Sequence, residues 1–144
     1  MTSQLNVDTI VDKAGSGGTN VKVGNTSTYV ADGGSATQNL VQGLAKAWVN
    51  FDGDASGIAI RDSFNVSGNT DNGTGDYTIT FSNAMSNGSY SLAGAGEAGG
   101  GSSVMALAVN DTGGLTTASA RIFTKTGSPA DSNVVTSTIN GDLA

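Results

Sequence analysis

The chain has 144 residues, with 6 Lys plus Arg against 12 Asp plus Glu, a formal net charge of −6, and neither Cys nor His. These counts exclude disulfides, thiolate nucleophiles, the usual zinc ligands and the side chain best suited to proton transfer near neutral pH, so most hydrolytic mechanisms lack a key group. The few basic residues are scattered, which makes nucleic acid a poor partner. Since no apolar run approaches the roughly 20 residues that span a bilayer and the N-terminus lacks a signal-peptide pattern, we expect a soluble protein without membrane insertion.

The residue types indicate an all-β fold. Gly occurs 22 times, Ser, Thr and Asn are abundant, and Glu97 is the only Glu among the 12 acidic residues. Gly, Asp and Asn favour turns, and Thr favours the pleated surface of a sheet. Short strands joined by many tight turns suit this composition, whereas long helices do not.

The first 35 residues lack the apolar content for a core of their own. Only Tyr29 of the eight aromatic residues lies among them, yet QLNVDTIV and NVKVG show strand periodicity on either side of the breaker KAGSGGT. Strands without their own core need partner chains, as in thin fibres that share an axis. We therefore assign residues 1–35 to an attachment or stalk segment. The expected trimer-interface positions are Leu5, Val7, Val21, Val23, Leu40 and Leu44.

Residues 36–48, ATQNLVQGLAKAW, contain the only plausible helix. Leu40, Leu44 and Trp48 are spaced four apart, which places them on one helical face, and Ser35 or Thr37 could cap the start. Gly43 costs about 1 kcal/mol relative to Ala, so the helix should be short. We assign residues 36–46 to a short helix that joins the stalk to the head, while a helix lying on its own domain remains the alternative.

Residues 47–144 predict a head of successive strands. The segments AWVNF, GIAIR, SFNVS, DYTITF, SYSLAG, VMALAV, TASARIFT and VVTSTI alternate with turn-rich pieces. Tyr77, Ile79 and Phe81 give the clearest alternation, which favours core packing for Tyr77 over stacking on sugars, as also for Tyr90. The run from Val104 to Val109 predicts a central strand buried on both faces. Seven or eight short strands in about 100 residues favour a β-sandwich or jelly-roll-like head.

The candidate carboxylates lie in predicted turns. Pairs such as Asp52 with Asp54 and Asp71 with Asp76 could serve glycan cleavage or Ca²⁺ binding, but Asp among Gly and Asn is common for turn capping alone. Neither cluster has the EF-hand spacing, so we predict no metal site and no cofactor. The dipeptides Asn72-Gly73 and Asn87-Gly88 instead predict tight hairpin turns.

Three stretches carry a resemblance to a known family. They are SQLNVDTIVDKAGSGG at residues 3–18, LVQGLAKAWVNFDG at residues 40–53 and IAIRDSFNVSGNTDNGTGDYTITFSNAM at residues 58–85. In this order they resemble the tail-fibre and related appendage proteins of tailed bacteriophages from marine and freshwater bacteria, including cyanophages. The resemblance implies a virion protein that is trimeric, attaches to other virion proteins through its N-terminal segment, presents a C-terminal β head, and has no catalytic residues.

From these observations we expect a non-enzymatic short tail fibre or fibre tip that attaches to a host surface glycan or protein. Polar turns of the head would make the contact, and three weak sites on a homotrimer would act together. The expected receptor-binding positions are Asn72, Gly73, Asp76, Asn87, Glu97 and Ser128. The alternative is an architectural capsid-decoration or tail-adaptor protein without receptor binding.

Overall fold

The computed structural model describes residues 27–30, 34–54, 57–98, 104–111 and 113–144. Its elements are β1 (Thr28–Val30), β2 (Thr37–Asn39), α1 (Leu40–Gly43), β3 (Ala45–Asp52), β4 (Ala59–Phe64), β5 (Val66–Gly73), β6 (Asp76–Phe81), β7 (Ser91–Ala98), β8 (Val104–Val109), β9 (Ser119–Lys125) and β10 (Ser132–Asn140). The described chain is therefore nearly all β. None of its helices is long and apolar enough to cross a membrane.

The chain divides into two compact units, residues 1–41 and residues 42–144. In the first unit, β1 and β2 form an antiparallel pair in which Tyr29 lies opposite Gln38. The amide of Leu40 donates a hydrogen bond of 2.9 Å to the carbonyl of Ser27 and so ties the end of β2 to the start of β1. The predicted interface residues Leu5, Val7, Val21 and Val23 lie outside the described residues.

The predicted helix over residues 36–46 is wrong in extent, because only the single turn Leu40–Gly43 is helical. Residues 37–39 form β2, and β3 begins at Ala45. Along β3 the buried apolar residues Ala47, Val49 and Phe51 occupy every second position, and Lys46 at the start of the strand is also buried. The period of two places three apolar side chains in the core, and this tertiary burial outweighs the four-residue spacing that suggested a helix.

The second unit is one eight-stranded antiparallel sheet with the order β4-β3-β10-β7-β8-β9-β6-β5. Eight strands form this sheet and most lie within a few residues of the predicted bounds, but the predicted strand SFNVS spans the junction between β4 and β5, and most of the predicted turn GNTDNGTG belongs to β5. The two edge strands, β4 and β5, follow each other in the chain with only Asn65 between them. The sheet therefore curls until its edges meet at Asn65, and it is nearly closed.

The side chain of Asn65 closes the seam, which is the line where the edge strands β4 and β5 meet. Its Nδ2 donates to the carbonyls of Lys46, at 2.9 Å, and Asn83, at 3.1 Å, and its Oδ1 accepts from the Asn83 amide at 2.7 Å. Asn65 has a φ of 55°, a left-handed conformation that Asn adopts more readily than most residues. The residue thus turns the chain from β4 into β5 and links the start of β3 to the end of β6.

The core lies inside the curled sheet. Alternate residues of four strands point inward and are fully or almost fully buried. They are Ala47, Val49 and Phe51 of β3, Tyr77, Ile79 and Phe81 of β6, Ala120 and Ile122 of β9, and Val135 and Ile139 of β10, joined by Met85 and Tyr90 from the connection between β6 and β7. Tyr77 and Tyr90 are therefore core residues, as the alternation predicted.

Three local predictions are corrected by the strand order. Asn87-Gly88 does not make a hairpin, because β6 and β7 are not neighbours in the sheet and residues 82–90 connect strands that lie apart. The turn after β5 falls at Thr74-Gly75, two residues later than predicted, since Gly73 still pairs with Asp76. The strand β8 is central, but its outer face is uncovered, so Ala106 is exposed rather than buried.

The sheet has two ends that carry different loops. The Asn65 end holds Asn65, the connection 82–90 and residues 113–118, where the amide of Met85 donates to the carbonyl of Thr117. The Gly53 end holds Gly53, the turn Thr74-Gly75 and residues 126–131, where the amide of Gly53 donates to the carbonyl of Ser132. Because neighbouring strands run antiparallel, connections alternate between these two ends.

Candidate binding surface

The Gly53 end is held together by a partly buried polar cluster. The Tyr77 hydroxyl donates to the carbonyl of Gly53 at 3.2 Å and contacts Asp131 Oδ1 at 3.3 Å, and the same Oδ1 accepts from the Gly75 amide at 2.7 Å. Gly75 has a φ of 65°, and a Cβ there would meet the backbone of Ala130 and Thr124. Burial raises the pKa of Tyr77 to about 12. This cluster connects the turn Thr74-Gly75 to residues 126–131 at the rim of the sheet.

Five of the six predicted receptor-binding residues lie at this end, and one does not. Gly73 and Asp76 flank the turn after β5, with Asn72 beside them, Glu97 lies near the end of β7, and Ser128 lies in the connection from β9 to β10. Asn87 lies at the opposite end, in the connection 82–90. The fold therefore groups most of these positions around the Gly53 end, and their role in binding stays a prediction.

Two of the grouped side chains are occupied within the protein. The Arg121 guanidinium donates from Nε at 2.9 Å and from Nη2 at 2.6 Å to the two carboxylate oxygens of Asp76, which is only 8 % exposed. These hydrogen bonds lower the pKa of Asp76. Asn72 donates from Nδ2 to the Thr78 hydroxyl at 2.8 Å. These hydrogen bonds connect β5, β6 and β9, and we call this part of the sheet the wall.

Two of the other acidic candidates, Asp52 and Asp71, lie in strands β3 and β5 rather than in the predicted turns, and each accepts a hydrogen bond from an amide two residues later. Asp52 Oδ1 accepts from the Asp54 amide at 3.1 Å, and Asp71 Oδ1 accepts from the Gly73 amide at 2.8 Å. Within the described ranges, no three acidic side chains lie close enough together to hold a metal ion. The Asp52 and Asp71 carboxylates therefore cap backbone amides close by in the sequence.

A different surface was missed by sequence reasoning, and we name it the β3–β4 face. It consists of the outward side chains Trp48, Asn50 and Asp52 of β3 with Phe64 and Arg61 of β4. Trp48 and Phe64 lie directly opposite each other in the antiparallel register, and neighbouring residues 47, 49 and 51 point into the core. Phe64 is 53 % exposed, and Trp48 is half-buried beside it.

Polar side chains border the aromatic pair. Arg61 donates from Nη2 to Asp52 Oδ2 at 2.9 Å and from Nη1 to Asn50 Oδ1 at 3.4 Å, across the β-bulge between Asn50 and Phe51. Thr138 lies opposite Trp48 on the other side, on β10. The face thus combines one exposed and one half-buried aromatic ring with hydrogen-bonded donors and acceptors. Such a face suits a ligand with both apolar ring faces and hydroxyl groups.

Sequence reasoning could not find this face because it depends on strand register. Trp48 fitted the four-residue spacing of the predicted helix, and Phe64 lay in a different predicted strand. Only the pairing of β3 with β4 puts the two rings side by side. The available signal was the alternation of Ala47, Val49 and Phe51, which already required Trp48 to point the other way.

The predicted trimer contacts that the structure describes are exposed. Leu40 is 40 % exposed and Leu44 is 57 % exposed. In this single chain both are available to a partner, and trimer formation stays a prediction.

Comparison with models of protein families, with curated protein sequences and with solved structures finds no match to this chain.

Proposed function

We propose that the protein is a non-enzymatic virion protein of a tailed bacteriophage, a short tail fibre or fibre tip whose head attaches to host surface glycans. The observation that carries the proposal is the β3–β4 face, where the exposed ring of Phe64 and the half-buried ring of Trp48 lie next to hydrogen-bonding side chains. The resemblance of residues 3–18, 40–53 and 58–85 to phage appendage proteins supplies the biological setting.

The chemistry of the face favours a sugar over a flat apolar ligand. A pyranose ring has C–H groups on its faces that pack on aromatic rings, and its equatorial hydroxyls point outward towards polar neighbours. Trp48 offers an indole N–H as a donor, while the Arg61 fork and the Asn50 amide lie in the next row of the sheet. The ion pair between Arg61 and Asp52 pre-organises these groups, which lowers the entropy lost on binding.

The head, in this proposal, is a sandwich-like or jelly-roll-like arrangement of two four-stranded halves. One half is β4-β3-β10-β7 and the other is β8-β9-β6-β5. Support comes from the edge-on contact between Phe51 of β3 and Tyr77 of β6, whose ring centroids are 5.1 Å apart although their strands belong to different halves. Sheets packed about 10 Å apart bring such rings into contact.

The assembly we propose is a homotrimer with contacts through the exposed residues Leu40 and Leu44 and the N-terminal strands. Three copies of a weak sugar site would act together through effective concentration and so provide firm attachment without a deep pocket. Light scattering of the purified protein tests this directly. A mass of three chains that falls to one chain in Leu44→Ser supports the assembly, and a monomeric parent protein contradicts it.

The test of glycan binding is a glycan array probed with the parent protein and with Trp48→Ala and Phe64→Ala. Both substitutions should abolish the signal on every bound glycan. Val109→Ala serves as the control, because Val109 is 43 % exposed but lies on β8, away from the β3–β4 face. An unchanged signal in both aromatic variants would refute the assignment of this face.

The second candidate is an architectural role as a capsid decoration or tail adaptor. The observation in its favour is that Asp76 and Asn72 of the predicted receptor-binding loops are bound within the wall of the sheet. Cross-linking in intact particles distinguishes the two roles. A fixed virion partner on the β3–β4 face, without glycan binding, would favour the architectural role.

A further inference from the structure

The chain contains three Asn-Gly dipeptides, and the structure places them in different environments. They are Asn72-Gly73, Asn87-Gly88 and Asn140-Gly141. In an Asn-Gly pair the glycine amide nitrogen can attack the side-chain amide carbon, because glycine has no side chain to hinder the approach. The reaction needs a backbone that can bend towards the side chain and an amide nitrogen that is not held elsewhere.

The first pair is held by hydrogen bonds on both partners. The Gly73 amide donates to Asp71 Oδ1 at 2.8 Å, and Asn72 Nδ2 donates to the Thr78 hydroxyl at 2.8 Å. The side-chain amide therefore points along the wall towards β6. Attack on its carbon would require both bonds to break and the end of β5 to open.

The third pair is held by the β ladder and by packing. Asn140 pairs with Ser91 of β7 and with Ala45 of β3, so its backbone is fixed on both edges. A Cβ on Gly141 would lie 2.7 Å from Cβ of Tyr90, which shows how closely this backbone is packed. Asn140 can react only when the last residues of β10 separate from both neighbours.

The second pair differs because it lies outside the strands, although Asn87 Nδ2 donates to the Ser86 hydroxyl at 3.2 Å and a Cβ on Gly88 would lie 2.8 Å from the carbonyl oxygen of Leu115. Asn87 is exposed in the bend at residues 86–88 and belongs to no strand. Its Oδ1 accepts from the Ser89 amide at 2.7 Å, which folds the side chain back over its own backbone and polarises the amide carbon. No described residue accepts a hydrogen bond from the Gly88 amide. Attack by the Gly88 nitrogen on the Asn87 side chain therefore requires no strand to separate from its neighbours.

We infer that Asn87 is a spontaneous deamidation site, the fastest of the three Asn-Gly pairs in the folded protein. The Gly88 nitrogen loses its proton to solvent base and forms a bond to Asn87 Cγ, while the bond from Cγ to Nδ2 breaks and ammonia leaves. Water then opens the resulting cyclic imide at either carbonyl. The products are aspartate and isoaspartate at position 87, with the overall consumption of one water.

The change alters a surface that the sequence predicts to bind the receptor. Each conversion adds one negative charge to the connection between β6 and β7, and the isoaspartate product lengthens the backbone by one carbon. The neighbouring Ser86 amide donates to the Asp142 carbonyl at 2.9 Å, so a longer backbone would disturb the contact between this connection and residues 141–144. The protein would therefore acquire charge heterogeneity with age, centred at the Asn65 end.

The experiment follows all three sites in the full-length protein during incubation at mildly alkaline pH, with a parallel sample in urea. No Lys or Arg lies between Arg61 and Arg121, so a tryptic peptide carries both Asn72 and Asn87, and fragment-ion spectra must separate them. Native protein should convert Asn87 about tenfold or more faster than Asn72 and Asn140, since the latter two require local opening. In urea the three rates should converge.

The control variant is Asn87→Gln, which should remove the growing acidic species from ion-exchange profiles of the native protein. Two outcomes would overturn the inference. One is native conversion at Asn72 or Asn140 as fast as at Asn87. The other is an intact Asn87 in the native protein over a period in which the urea-unfolded chain converts at all three sites.

Discussion

Raising the pH should unfold the protein through two buried tyrosines. Burial raises the pKa of Tyr77 and of Tyr90 to about 12 in the folded state, against 10.0 for the ordinary phenol. A group with a raised folded pKa stabilises the protein fully below its unfolded pKa, and this contribution is lost as pH rises through the folded value. The loss should therefore begin near pH 10 and continue to about pH 12.

The size of the effect follows from the two pKa differences. Two pKa units correspond to about 3 kcal/mol per tyrosine, and the pair to about 5–6 kcal/mol, which is comparable to the whole stability of many domains. Lys46 contributes the opposite slope, because burial lowers its pKa and deprotonation then favours the fold. Comparing each variant with the parent protein cancels this contribution.

The assay is urea unfolding at a series of pH values from 9 to 12, with phenolate absorbance recorded in parallel. Tyr90→Phe and Tyr77→Phe should each remove about half of the alkaline loss. At neutral pH, Tyr77→Phe should also cost about 1 kcal/mol, because the carbonyl of Gly53 and the carboxylate of Asp131 lose a partner. A parent protein whose stability stays constant to pH 12, or Phe variants with the parent's pH dependence, would refute the reasoning.

Three further predictions concern the wall and the seam of the sheet. Asp76→Asn should cost about 1–2 kcal/mol at neutral pH and flatten the acid side of the stability curve. Hydrogen bonds from Arg121 lower the pKa of Asp76, and the stability that they contribute disappears as pH falls through the lowered value. A parent-like acid profile in thermal melts would contradict this prediction. Gly94→Ala should cost about 1–3 kcal/mol in urea unfolding, because its Cβ would collide with the neighbouring strand. Gly68→Ala, whose Cβ would face open space, should change the stability by no more than about 0.5 kcal/mol. Equal effects of the two substitutions would contradict the packing described. Asn65→Ala should cost about 2–4 kcal/mol, because it loses the hydrogen bonds of the Asn65 side chain and forces Ala into a left-handed conformation. Asn65→Gly should recover the part of this cost that is due to the backbone conformation. A Gly variant no more stable than the Ala variant would contradict the role of backbone strain.

Much of the head could be predicted because its core depends on alternation that is local in sequence. Tyr77, Ile79 and Phe81 occupy every second position of β6, and the core needs them on one face. The end of a strand is also marked locally when glycine and aspartate follow it. For these reasons most strands of the head were found close to their observed positions, whereas β5, which is rich in Gly, Asn and Asp, was predicted as a turn.

The errors arose where the pairing of strands that lie far apart in the sequence determines the local structure. The spacing of Leu40, Leu44 and Trp48 suits a helix, but the partners of β3 in the sheet lie far along the chain. Likewise, Asn87-Gly88 has the sequence of a hairpin turn, yet β6 pairs with β5 and β9 and not with β7. The β3–β4 face was invisible for the same reason, because register determines which outward side chains become neighbours.

The most direct test of the proposed function uses the fluorescence of Trp48, which is the only Trp in the chain and lies on the β3–β4 face. Polysaccharide extracted from candidate host cells is titrated into the purified protein, and the saccharide is then recovered and sized. The account predicts a saturable change in Trp48 emission, absent in Phe64→Ala, with the polysaccharide recovered at its original size. Binding that leaves Trp48 emission unchanged, or a polysaccharide shortened by the protein, would contradict it.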